Sequence, residues 1–322
     1  MEQRKIGCLG AGVAGGVLIL FGLISGLRFK TEIGQARERL AAMESQLVQT
    51  PYGPMEVAVR GEGEPVLVIH GNGGGFDQGL GLARAYLADG FQVITPSRFG
   101  YLRSPVPADA TPALQADIYA SLLDALEIER VPIFATSAGV TSAIQFALRY
   151  PERTSALILH SPNTPGEAGL AAPPRAIFSR LVHSDYAFWA MNTYLGSVMQ
   201  NLVGVPKDFL LTPEYKAEVK AALAQTLPVS PRGDGIIFDT FVSNPAINDY
   251  PLGEVRTPTL VISAIDDPMA LHSGARLLAE SIPSARLVAI ADGGHLMLGH
   301  TPEVRNLISQ FLAGEVAQVK QP

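Results

Sequence analysis

The stretch Val131-Pro-Ile-Phe-Ala-Thr-Ser137-Ala-Gly139 decides how this chain is read. Its first residues form a short apolar run, the pattern of a strand buried in a parallel sheet. The run that follows, Val140-Thr-Ser-Ala-Ile-Gln-Phe-Ala-Leu-Arg149, has helical apolar spacing and stops before Pro151. Strand, tight turn with a serine at its apex, helix: this is the order of a nucleophile elbow, usually spelled G-x-S-x-G. Such a turn holds the serine in a strained backbone conformation, so the residues two positions away on either side must be small. Here they are Ala135, one methyl larger than the usual glycine, and Gly139. The helix N-terminus behind Ser137 favours negative charge developing there. An ordinary strand-to-helix turn can carry the same letters. The reading therefore requires a loop of amide donors upstream, then an acid and a histidine downstream, in that order.

All three are present. Pro65-Val-Leu-Val-Ile-His-Gly71 reads as a second buried strand and runs into Asn72-Gly-Gly-Gly-Phe-Asp77. No Lys-Ser/Thr follows and G-x-G-x-x-G spacing is not kept, so the loop is not read as a phosphate cradle. A glycine-rich loop of this kind can instead turn backbone N–H groups toward a reacting carbonyl oxygen. Asn72 is the expected first oxyanion donor and Ala138 the second; His70 reads as structural. Downstream, Thr257-Pro-Thr-Leu-Val-Ile-Ser-Ala264 is a strand ending in Ile265-Asp-Asp-Pro268, and Leu287-Val-Ala-Ile-Ala291 is the last strand, followed by Asp292-Gly-Gly-His295. A histidine on a loop of small residues can reach back to the serine. His300 begins the closing helix Thr301–Leu312 and is the weaker candidate. His160, His183 and His272 have no such placement.

Composition limits the function classes. The chain has 322 residues, 47% of them hydrophobic and 17% charged, with a net charge of -6. The acidic balance argues against a nucleic-acid partner. The single cysteine, Cys8, excludes an intrachain disulfide, and no C-x-x-C, H-E-x-x-H or P-loop pattern points to a metal or nucleotide. Residues Ile6–Leu27 carry no charge, and 22 such residues suffice to cross a bilayer core of about 30 Å. A cleaved signal peptide is the rival reading, against which no convincing small-x-small cleavage site follows. The expectation is an uncleaved single-pass anchor over residues 1–30 and a polar, helix-favouring stalk over 31–50. Arg28, Lys30, Arg37 and Arg39 after the span favour a cytoplasmic C-terminal side, while a short N-terminus kept inside gives the opposite, so the side stays open.

Taken together, His70-Gly71, the strand Phe91-Gln-Val-Ile-Thr-Pro96, Arg98-Phe-Gly-Tyr-Leu-Arg-Ser104, the elbow, the Asp-Asp-Pro turn and Gly294-His295 resemble the α/β-hydrolase family over about Met55 to Leu312. The segment at Arg98 is similar to the family's D-x-x-G-x-G-x-S loop, with Ser97 or Arg98 where the aspartate stands. The resemblance implies an α/β fold: a mostly parallel eight-stranded sheet flanked by helices, residues 51–161 and 251–322, interrupted at 162–250 by a helical cap. It implies a triad of Ser137, Asp267 and His295. Asp267 lies three residues past Ala264, and Asp266 is the competing carboxylate. The aromatic and methionine-rich cap, Trp189 among it, together with Gly73 and Tyr101, would line an apolar substrate pocket. The implied activity is cofactor-free and metal-free hydrolysis of an ester or related acyl bond of a small molecule through an acyl-serine. The same triad also serves carbon–carbon bond hydrolysis, acyl transfer or haloperoxidase chemistry, and a membrane-tethered binding module is the non-enzymatic alternative.

Overall fold

The computed structural model describes residues 2–166 and 173–314, with side chains from residue 19 onward. Eight strands form one sheet: β1 (Gln46–Thr50), β2 (Gly53–Arg60), β3 (Glu64–Ile69), β4 (Phe91–Pro96), β5 (Val131–Thr136), β6 (Thr154–His160), β7 (Thr259–Ala264) and β8 (Ala285–Ile290). Their order is β1-β2-β4-β3-β5-β6-β7-β8. Only β1/β2 and β2/β4 pair antiparallel; the remainder is parallel. This is the expected sheet. Helices connect the parallel strands: α2 (Phe76–Tyr86), α3 (Pro112–Ala125), α4 (Gly139–Arg149), α11 (His272–Ser281) and α12 (Thr301–Leu312). Because successive strand residues point to opposite faces, β3 splits its side chains. Leu67 and Ile69 pack with α3, α4 and α11, whereas Val66 and Val68 pack with α2 and α12. Central strands buried on both faces explain the uninterrupted apolar runs of the sequence.

The topology places the chemistry. The chain leaves β3 to one side, for β4, and later returns to its other side for β5. The carboxyl ends of β3 and β5 therefore flank the point where strand order reverses, the usual ligand crevice of an open α/β sheet. The glycine-rich loop leaves β3 there, and Ser137 follows β5.

Between β6 and β7 lie α5 (Arg175–Val182), α6 (Asp185–Tyr194), α7 (Gly196–Leu202), α8 (Pro213–Gln225), α9 (Gly233–Phe238), a π-helical turn at Asp239–Ser243 and α10 (Asn244–Ala246). The Pro/Gly-rich stretch 162–174 falls partly outside the described residues. Met199, Val205, Val219, Leu223 and Leu298 form one cluster that joins these helices to the loop after His295.

The N-terminal segment differs from expectation. One helix, α1, runs Glu2–Ala41. The expected anchor, Ile6–Leu27, falls largely on residues whose side chains are not described; among the described residues no helix is long and apolar enough to cross a membrane. Nor is 31–50 a free stalk. Ile33 and Ala36 are buried against Trp189 and Leu227, Arg37 Nη2 reaches Asp185 Oδ2 at 3.0 Å, and Arg39 donates to the carbonyls of Ala224 and Leu227. Gln46–Thr50 is strand, not helix. Leu47 and the β-branched Val48 and Thr50 suit a strand, and a two-residue turn at Pro51-Tyr52 folds it back onto β2.

Candidate active site

The elbow is visible in the backbone. Ser137 has φ 50, a left-handed conformation that costs a non-glycine residue about 1–3 kcal/mol. The cost is borne because β5 is paired on both sides and α4 starts two residues later; the Ser137 N–H also donates to His160 O at 3.0 Å. Gly139 allows α4 to begin against the end of β3: a Cβ there would stand 2.5 Å from the His70 carbonyl oxygen.

Three side chains meet at this point. Ser137 Oγ lies 3.0 Å from His295 Nε2, and His295 Nδ1 lies 2.8 Å from Asp267 Oδ2. The carboxylate accepts from Nδ1–H, which leaves Nε2 as the acceptor for the serine hydroxyl. The Asp267 side chain is fully buried, and its Oδ1 accepts the Met269 and Ala270 N–H groups at 2.8 and 3.0 Å, fixing the carboxylate plane. The competing carboxylate does something else. Asp266 accepts the N–H groups of Gly293 (3.2 Å) and Gly294 (2.9 Å) and so holds the loop that carries His295. On the other side of that loop, the His295 N–H donates to Gly204 O at 2.9 Å, and the His295 carbonyl accepts from Ser161 Oγ at 2.9 Å.

The segments that carry the two expected oxyanion donors meet where Gly71 stands against Ser137: a Cβ on Gly71 would lie 3.2 Å from Ser137 Cβ. The backbone N–H groups of Asn72 and Ala138 donate to no protein acceptor among the described residues. Asn72 follows β3 and Ala138 follows Ser137, so both lie past strand ends on the crevice side of the sheet. Asn72 is exposed and Ser137 half-buried.

Other expected site residues serve differently. Trp189, placed among the substrate contacts from sequence, is 1% exposed; it packs on Phe29, Ile33 and Ala36 of α1, and its Nε1–H donates to Glu32 Oε2 at 2.7 Å. It is a packing residue because the N-terminal helix, expected to run free of the cap, occupies its surroundings. Tyr101 and Arg98 are also fully enclosed. Tyr101 contacts the loop through its hydroxyl, at 3.1 Å from Asn72 Oδ1, and accepts the Gly73 N–H at 3.4 Å. Gly73 is itself buried, facing Thr226 of the cap segment. Two cavities of about 510 and 230 Å³ flank the Leu102–Val106 turn, and neither is lined by Ser137, Asp267 or His295.

Two buried histidines frame the site without joining it. Burial and the Arg98 charge hold His70 well below 6.5; its Nδ1–H donates to Gly71 O at 2.7 Å and its Nε2 accepts the Arg98 N–H at 3.0 Å. His160, beside the triad, is pushed down to about 3 by burial, with His295 adding to the effect. Both are neutral packing groups at ordinary pH. Sequence reading missed the buried pairs Arg98–Asp239 (2.6 Å) and Arg232–Asp77 (2.7 Å), which tie the cap segment to the loop. Their members are 141 and 155 positions apart, so no local pattern could reveal them.

The fold recurs among known proteins. Residues 64–299 match the family model described as alpha/beta hydrolase fold. A 2-hydroxy-6-oxo-6-phenylhexa-2,4-dienoate hydrolase of Burkholderia cepacia is 30% identical over 261 residues, 79% of this chain and 89% of the relative. The uncharacterized hydrolase YcgS of Bacillus subtilis is 28% identical over 263 residues, 76% of this chain and 89% of the relative. Among solved structures, an alpha/beta hydrolase fold protein from Nakamurella multipartita superposes with a TM-score of 0.68 at 26% identity, covering 84% of this chain and all of that one. The elbow, the sheet that builds it and a family match over more than half the chain lead to one conclusion: this chain belongs to the α/β-hydrolase family and is a hydrolase.

Proposed function

We propose that the chain is a cofactor-free serine hydrolase of esters or related acyl bonds, with Ser137 as nucleophile, His295 as general base and then acid, and Asp267 as the orienting carboxylate. The observation that carries this reading is the continuous hydrogen-bonded line Ser137–His295–Asp267. Ser137 Oγ attacks the acyl carbonyl as His295 takes its proton. The Asn72 and Ala138 amides receive the oxyanion, and His295 returns the proton to the leaving alcohol. Water then repeats the sequence on the acyl-serine.

Carbon–carbon bond hydrolysis is the second reading, because several relatives bear that activity in their names. Those named substrates are carboxylates, which a site would meet with a cation. The two buried arginines beside the glycine-rich loop already have carboxylate partners, Asp239 and Asp77. That favours a neutral, apolar acyl substrate.

A fluorophosphonate probe, followed by peptide mass spectrometry, tests the core of the proposal. Labelling at Ser137 is expected in the wild type and none in Ser137→Ala or His295→Ala; a well-folded wild type that resists the probe refutes it. Ester and dienoate panels then separate the two readings.

The apolar Ile6–Leu27 run supports an N-terminal membrane tether, as does the exposure of Ile19, Leu20, Phe21, Leu23, Ile24 and Leu27. Full-length chain that stays in the aqueous phase on detergent partition would exclude it.

A further inference from the structure

Asp239 is fully buried in the π-helical turn that follows α9, far from the serine in sequence. Its carboxylate accepts both terminal nitrogens of Arg98 at 2.6 Å and the hydroxyl of Tyr101. Arg98 Nη2 also donates to Gly71 O at 3.1 Å, at the start of the glycine-rich loop. At the far end of that loop, Arg232 donates to Gly74 O and to the Asp77 carboxylate. Arg98 and Asp77 belong to the sheet domain, Asp239 and Arg232 to the inserted segment. Two buried ion pairs thus cross from the insertion and grip the carbonyls on either side of Asn72.

The hydroxyl of Tyr101 sharpens the connection. A phenol has one proton. Burial and the Asp239 carboxylate push the Tyr101 pKa well above 10, so that proton stays on the phenol and is donated to Asp239. The oxygen is left as an acceptor. It receives the Gly73 N–H, and the Asn72 carboxamide, 3.1 Å away, satisfies it by presenting its NH₂, an orientation reached by exchanging the amide nitrogen and oxygen. The polarity therefore runs Asn72 and Gly73 to Tyr101 to Asp239.

We propose that Asp239, acting through Tyr101 and Arg98, is a positioning residue that sets the oxyanion loop, so that the hole is complete only when the inserted segment is seated. This rests on the serine-hydrolase reading above. The inference explains why a charged pair is buried here. An ion pair enclosed in protein contributes little net stability, but it fixes one geometry firmly. A hole whose donor is displaced by about 1 Å loses much of its rate advantage.

The test is a double-mutant cycle on the full chain, using Tyr101→Phe and Asn72→Ala, alone and combined. Active sites are titrated with the fluorophosphonate probe and an apolar ester serves as substrate. Tyr101→Phe keeps the ring that stands edge-on to His70 and removes only the hydroxyl. The expected result is a fall in kcat per titrated site of about 10- to 100-fold, with KM within about twofold, and a combined variant no worse than the poorer single one. Asp239→Asn should lower kcat at least as far as Tyr101→Phe, because it weakens the hold on Arg98 as well, and Asp239→Glu should recover part of it. An unchanged kcat per site in Tyr101→Phe, or strictly multiplicative effects in the combined variant, overturns the inference. If Asp239→Asn fails to fold, the Tyr101 and Asn72 variants decide alone. Failure of the wild type to label refutes the hydrolase reading instead, so the two failures are distinct.

Discussion

Replacing Gly139 by alanine adds one methyl group at the most crowded contact of the elbow. The new Cβ would lie 2.5 Å from His70 O, 2.9 Å from Ile69 O and 3.0 Å from Ile69 Cγ2, where ordinary contact begins near 3.4 Å. Two of the three atoms are backbone, one in the last residue of β3 and one just past it, and β3 is paired to β4 and β5 and cannot give way. The start of α4 must therefore move, by close to 1 Å. Overpacking of this kind costs about 1–3 kcal/mol, against a helix-propensity gain of at most about 1 kcal/mol. A net destabilisation of about 1–2 kcal/mol is expected. The larger effect is on rate. Ala138 moves with the helix and carries the second proposed oxyanion amide away from Asn72, and misplacement on this scale costs on the order of 10²-fold in kcat. Gly34→Ala is the matched control. Gly34 lies inside α1 with nothing within 4 Å of its added Cβ, so the same substitution should stabilise by about 0.5–1 kcal/mol and leave kcat alone. Urea unfolding and ester kinetics on both variants provide the measurement. Wild-type stability and turnover in Gly139→Ala would refute the reasoning.

His160 predicts the acid limb of stability. Its folded pKa is depressed to about 3 while the unfolded group titrates near 6.5. Below pH 6.5 the unfolded chain thus binds the extra proton, and stability is complete above 6.5 and falls as pH drops toward 3. The loss from this one group reaches about 2 kcal/mol at pH 5, and His160→Gln should flatten the slope in urea titrations at graded pH. Asp266→Ala removes the acceptor of two loop amides. It should lower kcat and slow probe labelling at Ser137 while leaving the Asp267–His295 contact in place, a pattern that Asp267→Ala would not share because it removes the imidazole's partner. If Asp266→Ala instead abolishes labelling and Asp267→Ala does not, the two carboxylates have been assigned the wrong way round.

Much of the sheet was legible because its strands are buried on both faces and connected by helices. Phe91–Pro96 and Thr301–Leu312 have the bounds expected from pattern. Boundaries failed where pattern was weak. In the insertion, the apolar run Ala187–Val203 is broken near Leu195 into α6 and α7, with Gly196 opening the second. The segment read as a stalk became a packed helix and an edge strand. Its apolar residues, Ile33 and Ala36, are few, and their partners lie more than 150 positions away.

The sequence by itself determined the strand–turn–helix around Ser137, the glycine loop before it, and the order of serine, acid and histidine. These are local requirements: small residues beside a strained serine, and polar groups just past strand ends. Only the tertiary structure assigned Asp267 to the imidazole and Asp266 to the loop amides, since two adjacent carboxylates have the same local chemistry and differ only in which way the turn points them. Only the tertiary structure moved Trp189 from the substrate to α1 and brought Asp239 and Arg232 onto the glycine-rich loop. Each of these pairings joins residues that the chain keeps far apart, and burial and charge bring them together only once the sheet and its insertion have closed on each other.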